Sequence, residues 1–332
     1  SNTGDYAEWL YDRGIRDQHA GYAHGVSSNA WVGRPHHLGE ELLHTFWVVD
    51  RAIHFLQHHD DSQPFFLNLS FIDPHPPFTP PRHYYDRYID RDLPKPPIGD
   101  WTRLMLSESV PRKGSSPNAW YIDLDEHDRR CSQAAYYGMI NFIDDQVGRL
   151  NQFARDFIDD VLIIMTSDHG EMLGDHHMGA KVVFLEGSAH IPLLIRPPAD
   201  TAEQYRKLRG SQCAELASLA DILPTCLSMA GAEPPANVKF DGLNLLDMAE
   251  GKVSRPHLIG VGKFHMVHDG RYKYNFASAG GSELLFDLEN DPGQDQPIQN
   301  ANVEADLIER MRKMMQSVTE EKEKEKEKEK EK

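Results

Sequence analysis

The amino-acid sequence predicts an α/β fold, one large domain followed by a smaller one, and three observations predict it. A helical pattern from about Arg129 to Phe157 feeds into the short apolar run Val161-Leu162-Ile163-Ile164-Met165-Thr166, the succession of helix and buried strand that builds α/β sheets. A second apolar run, Ile191-Pro192-Leu193-Leu194-Ile195, follows a polar, glycine-punctuated loop, and ligands of open α/β sheets bind at such strand ends. At 332 residues the chain also exceeds the roughly 100–200 residues of a usual single core, so two unequal domains are expected.

Taken in order, the first helix is expected from about Gly39 to His58, where Leu42, Leu43, Phe46, Val49, Ile53 and Leu56 recur at helical spacing. Pro64-Phe65-Phe66-Leu67-Asn68-Leu69-Ser70-Phe71 is a nearly continuous apolar run closed by Asp73-Pro74-His75-Pro76-Pro77, as a buried strand entering a rigid loop would be. Phe78–Ser116 is too rich in proline for helix or central strand and is expected to be a long surface excursion. In the long helix, Ala134, Tyr137, Ile140, Ile143, Val147 and Leu150 mark the apolar face. Another helix is expected over Ala214–Ala230, and short strands around Tyr272–Phe276 and Leu284–Leu288. A boundary near Gly251 divides the chain into a large domain over 1–250 and a small carboxyl-terminal subdomain over 251–319. The tail over 320–332 alternates Glu and Lys and offers nothing to bury.

Composition excludes several classes. A formal charge of −17 with no compact basic run argues against a nucleic-acid partner. Cys131, Cys213 and Cys226 are odd in number and lack metal-type spacing, so they read as core thiols and not as a disulfide framework or zinc site. No apolar stretch approaches the ~20 residues that span a bilayer. Ser1-Asn2-Thr3-Gly4 is neither an initiator Met nor a signal peptide, and the expectation is that an amino-terminal part precedes it.

The chemistry concentrates after the strand expected over Val161–Thr166. Asp168 and His169 offer adjacent oxygen and nitrogen donors on a glycine-bounded turn, half of a divalent-metal site. The alternative is that Asp168 caps the turn while His169 packs against a neighbour. Lys181 follows twelve residues after His169, where an ammonium can neutralise an anionic ester oxygen and stabilise charge developing in a transition state. His75, in a proline-braced loop past another strand, suits a hydrogen-bond donor or general acid to a leaving oxygen. For Lys181 and His75 the alternatives are a solvated charge and a structural histidine.

Together these segments resemble the sulfatase family of the alkaline-phosphatase superfamily. The match lies in Ser167-Asp168-His169-Gly170-Glu171-Met172-Leu173-Gly174-Asp175-His176, Lys181 downstream, and Glu186-Gly187-Ser188-Ala189-His190-Ile191-Pro192-Leu193. Supporting matches are Pro64-Phe65-Phe66-Leu67 running into Pro74-His75-Pro76-Pro77, the helix motif Ile143-Asp144-Asp145-Gln146-Val147-Gly148-Arg149, and Leu285-Phe286-Asp287-Leu288-Glu289-Asn290-Asp291-Pro292. Gly25–Pro35 with His44-Thr45 looks like a bacterial branch of arylsulfatase-like and phosphonate-monoester-hydrolase-like enzymes.

The resemblance implies a three-layer α/β/α domain with a mixed, mostly parallel sheet, and a small antiparallel carboxyl-terminal α+β subdomain. It implies hydrolysis of small-molecule or carbohydrate sulfate esters, with phosphonate monoester or phosphodiester hydrolysis as the alternative on the same scaffold, and leaves the compartment, bacterial cytoplasm or periplasm, open. A non-catalytic protein holding an anion or sugar is a third reading. By the resemblance Asp168 and His169 bind the metal, calcium ahead of manganese or magnesium, while His75 and Lys181 contact the substrate and are catalytic; His176, in the same polar loop, is read from its own position as a further substrate contact. The nucleophile it implies is a formylglycine made from Cys or Ser in a C/S-x-P-x-R motif. No cysteine here stands in that motif, and Ser254-Arg255-Pro256-His257-Leu258 lacks the final Arg. A second acidic pair of metal ligands is absent too. The expectation is therefore that nucleophile and remaining ligands lie upstream, and that the chain alone holds metal weakly and is inactive.

Overall fold

The computed structural model describes residues 4–16, 29–60, 62–102, 122, 124–154, 161–181, 183–198, 202–234, 237–262, 264–277, 283–298 and 305–316. They fall into two compact units, one drawn from Ser1–Pro96, Val110–Asp159 and Leu173–Ala180, the other from Pro97–Ser109, Asp160–Met172 and Lys181–Lys332.

The first unit is helical. Helices α1 (Gly4–Asp12), α2 (His44–His58), α3 (Arg82–Asp86) and α4 (Glu126–Ala154) lie in it, and α2 and α3 pack along α4. The long helix starts three residues before its expected start, and its expected end at Phe157 lies outside the described residues. The expected helix from Gly39 is divided. A 3-10 turn covers Glu40–Leu42, Leu43 is extended (φ −79°, ψ 152°), and α2 begins at His44. Leu43 is buried against Tyr84 and Phe142, and burying that side chain overrides the helical spacing around it.

Residues 64–72 alternate between exposed and half-buried, the period of a strand, yet they carry no ladder among the described residues. Side-chain alternation can be read from a sequence, but a strand also needs a partner for its backbone groups. The loop that follows is tied to the segment before α2. Phe78 forms a parallel bridge with Gly33, its N–H donates to Val32 O (3.1 Å), and its carbonyl accepts from Arg34 N (3.0 Å).

The second unit holds two sheets. Strands β1 (Ile163–Thr166) and β2 (Leu193–Arg196) pair antiparallel, Met165 opposite Leu194, and both of those side chains are exposed. Helix α5 (Glu186–Ala189) lies between them in sequence, and α6 (Ile222–Met229) and α7 (Leu245–Ala249) follow. The expected helix from Ala214 begins only at the 3-10 turn Leu219–Asp221, where Ser218 and Asp221 form a capping box. The Leu216 carbonyl accepts from Arg255 Nη1 (2.8 Å) and so does not serve a helix.

The carboxyl-terminal sheet is an antiparallel meander β3 (Leu258–Val261), β4 (Phe264–His268), β5 (Tyr272–Ala277) and β6 (Glu283–Asp287). Its last two strands stand where the sequence predicts them. One face packs Val267, Tyr274 and Leu285 against Ile308 and Met311 of a helix over 305–316, here α8. The opposite face carries Lys273 and Asn275 of β5, with Phe286 opposite Lys273. The alternation of the two strands thus places a lysine on a buried face. Of the cysteines, Cys213 is exposed, contrary to its reading as a core thiol, while Cys131 and Cys226 are half-buried. The expected tail over 320–332 lies outside the described residues.

Candidate active site

The turn after β1 is closed by its own hydrogen bonds. Ser167 Oγ donates to the His169 carbonyl (2.6 Å), and Asp168 Oδ1 accepts from the His169 backbone N–H (2.9 Å). His169 Nδ1 lies 2.8 Å from the Gly170 carbonyl. A carbonyl only accepts, so Nδ1 carries a proton, and in the neutral ring the lone pair is on Nε2. That Nε2 is 3.5 Å from Asp168 Oδ2, and the Asp168 side chain is exposed. One imidazole nitrogen held in the ligating tautomer by a backbone carbonyl, beside one carboxylate oxygen, is a donor pair that suits a single divalent ion. Among the described residues no cluster of three or more His, Cys, Asp and Glu side chains forms around it. Asp168 supplies one of the six or more oxygens that a calcium ion takes, and His169 adds a nitrogen. Asp168 does close its own turn, as the structural alternative expects, and still leaves Oδ2 facing His169.

The backbone behind this pair is fixed by α5. Gly170 N–H donates to the Ser188 carbonyl (2.8 Å), and a Cβ at Gly170 would stand 2.2 Å from the Gly187 carbonyl oxygen. Only glycine allows that approach. Lys181 is half-buried in the same unit, in the segment leading to α5.

His75 and His176 belong to the first unit. His75 sits between the cis peptides Asp73-Pro74 and Pro76-Pro77. Its Nδ1 lies 2.8 Å from the Pro76 carbonyl and therefore donates. An imidazolium here would offer its second proton from Nε2, the geometry of a donor to a leaving oxygen. His176 is buried in a turn where Leu173, His176, His177 and Ala180 all have left-handed φ between 47° and 62°. Side chains rarely adopt that conformation, and such residues collect at functional sites. Gly174 N–H to Met178 O (2.8 Å) and Ile122 N–H to His177 O (2.7 Å) hold the turn. Leu173 packs with Phe78, Ala135 and Met139, so the His75 and His176 loops share one hydrophobic cluster. The first unit thus brings His75 and His176 onto a common base, and the second contains Asp168, His169 and Lys181.

Beside His75, Thr45 Oγ1 donates to Asp73 Oδ2 at 2.5 Å. Burial nevertheless pushes the Asp73 carboxyl up to about 6, the Thr45 bond offsetting only part of it. A carboxyl raised in the fold favours the protonated form, so its contribution to stability is complete below the unfolded value of about 3.9 and is lost as pH rises through about 6. Asp73→Asn is expected to remove this loss. The difference in unfolding free energy, variant minus wild type, should grow by on the order of 1–3 kcal/mol between pH 4 and pH 7. Thermal unfolding across that range checks it, and a difference independent of pH would sink it.

Sequence reasoning gave no role to Glu186, Lys273 or Gln294. Lys273 is 3% exposed, and its Nζ donates to Glu186 Oε1 at 2.6 Å. Burial pushes the Glu186 carboxyl up, but the Lys273 ammonium, with His190 and His268, more than offsets this and holds it below the usual range. Burial lowers Lys273, and Glu186 counters part of that effect. The signal in the sequence was a lysine among apolar neighbours at an inward strand position, Tyr272-Lys273-Tyr274.

Known proteins extend this picture. Residues 36–232 match the sulfatase family model. The chain is 34% identical to an arylsulfatase of Clostridium perfringens over 88% of its own length and 61% of that protein's. It is 33% identical to the multifunctional alkaline phosphatase superfamily protein PehA of Trinickia caryophylli, over 78% and 56%. The crystal structure of the phosphonate monoester hydrolase of Agrobacterium radiobacter superimposes with a TM-score of 0.77 at 26% identity, covering 96% of this chain and 69% of that one. Fold and site therefore define an α/β protein of the alkaline-phosphatase-like type. The chain belongs to the sulfatase family. It spans about three fifths of the length of the two curated relatives named above.

Proposed function

We propose that the protein hydrolyses sulfate esters, of a small molecule or a carbohydrate, with a divalent cation held by Asp168 and His169. The observation that carries this reading is the His169 ring, whose Nδ1–H is given to the Gly170 carbonyl so that Nε2 stands beside Asp168 Oδ2. Calcium is preferred, with manganese or magnesium as alternatives because one donor is nitrogen. A bound cation would supply charge to draw an anionic ester oxygen into place. Lys181 is proposed to neutralise a second oxygen of the sulfate, His75 to donate from Nε2 to the bridging oxygen, and His176 to orient the substrate. No described helix is long and apolar enough to cross a membrane.

Formylglycine does not fit the residues present. The 332 residues contain no Cys or Ser in a C/S-x-P-x-R setting, so no step is derived through that group, and the 332 residues alone are proposed to turn over no ester. Phosphonate monoester hydrolysis is the second reading, favoured by the superposition at TM-score 0.77. Assaying the protein as its source makes it, on an aryl sulfate and an aryl phosphonate monoester in parallel, tests the proposal. Faster turnover of the sulfate supports it, faster turnover of the phosphonate transfers the proposal to the second reading, and turnover of neither removes both.

A further inference from the structure

A lysine ammonium buried in a small sheet costs stability that a well-packed apolar side chain would not, so its position calls for a physical reason. Lys273 of β5 reaches away from its own sheet to Glu186 Oε1, and Glu186 is the first residue of α5. The Glu186 backbone N–H donates to Gln294 Oε1 (2.8 Å). Gln294 is fully buried, and its carbonyl accepts from Trp101 Nε1 (2.8 Å), whose ring meets Phe286 edge-on at 5.5 Å. The first residue of α5 is thus gripped by its side chain and its backbone together. Within the next two residues, the Ser188 carbonyl accepts from Gly170 N–H, and the Gly187 carbonyl lies against the Gly170 Cα. Gly170 supplies the carbonyl that orients His169.

We propose that Lys273 is a positioning residue: through Glu186 it fixes α5, and through α5 it fixes the Gly170 backbone and so the aim of Asp168 and His169. The carboxyl-terminal sheet then belongs to the framework of the candidate metal site. The part of this inference that concerns metal rests on the reading given under Proposed function. The part that concerns Gly170 stands without it.

The test is hydrogen exchange of the Gly170 amide, followed residue by residue, together with Mn2+ titration of the protein as its source makes it. Lys273→Met is expected to speed Gly170 exchange about tenfold or more while Tyr274 and Leu285 amides in the sheet hold their rates, because local opening is released without global unfolding. Mn2+ affinity is expected to fall about 10–100-fold, the usual effect of losing an outer partner. Lys273→Arg should restore both. If Lys273→Met does not fold, Glu186→Gln replaces it, with the same expectation at Gly170. Unchanged Gly170 exchange, or a rise shared equally by the sheet amides, overturns the proposal. A wild-type protein, as its source makes it, that binds no Mn2+, while Gly170 exchange still responds to Lys273→Met, overturns the metal reading and supports the positioning link.

Discussion

Arg255→Ala is expected to cost about 3–5 kcal/mol of folding free energy, the largest stability effect of any single side chain considered. Asp221 is fully buried at the foot of α6, and Arg255 meets it in a two-point contact, Nη1 to Oδ2 at 2.8 Å and Nη2 to Oδ1 at 2.5 Å. The same carboxylate accepts from Leu243 N–H (2.8 Å) and Ser218 N–H (2.7 Å), and Arg255 also donates to the Leu216 carbonyl. Burial raises the Asp221 carboxyl, but Arg255 and the two backbone donors outweigh it and hold it below the usual carboxylate range. A depressed carboxyl stabilises the fold above its unfolded value of about 3.9, and that share is lost as pH falls through its folded value. Removing Arg255 strands a buried charge. In the variant, destabilisation should therefore be greatest near neutral pH and shrink toward pH 4, where Asp221 takes up a proton. Chemical denaturation at pH 4 and pH 7 measures both numbers, and a loss below about 1 kcal/mol at pH 7 would show that the contact is only a surface-grade pair.

In the protein as its source makes it, Lys181→Ala is expected to lower kcat for sulfate-ester hydrolysis about 10²–10³-fold, the scale for removing one preorganised group that stabilises developing charge. A group serving the transition state lowers kcat and kcat/KM together, whereas one that only binds substrate raises KM and leaves kcat. Lys181→Arg keeps the charge but changes the donor geometry, and is expected to recover part of the rate. Steady-state kinetics on an aryl sulfate decide between the two patterns. An unchanged kcat in Lys181→Ala would return Lys181 to the role of a surface charge.

Much of this was legible in the sequence, and the residues show why the rest was not. The apolar spacing of α2 and α4 is a local property, and it locates both helices to within a few residues. Asp168 and His169 are neighbours in sequence, so their pairing needed no long-range information. Leu43 was read as helical because its spacing fits, and only its burial against Tyr84 and Phe142 shows that it is extended. Strands β3 and β4 went unread because Gly260 and Gly262 interrupt them and His265 and His268 dilute the apolar run, although their pairing through the meander is regular. The run at 64–71 has the side-chain period of a strand, and the ladder that would make it one is not a property of those residues. Lys273, Glu186 and Gln294 come from three separate stretches of chain. Their meeting is a product of the fold, so no spacing rule could have joined them.

A divalent cation held by Asp168 and His169 is the centre of the proposed chemistry. Pulsed electron paramagnetic resonance of Mn2+ added to the protein tests this directly, since a ligating imidazole imprints nitrogen coupling on the metal signal. Coupling from one nitrogen that disappears in His169→Gln, with weaker binding in Asp168→Asn, is the predicted result. A signal without nitrogen coupling, unchanged by either substitution, would contradict it and leave the turn after β1 a structural feature alone.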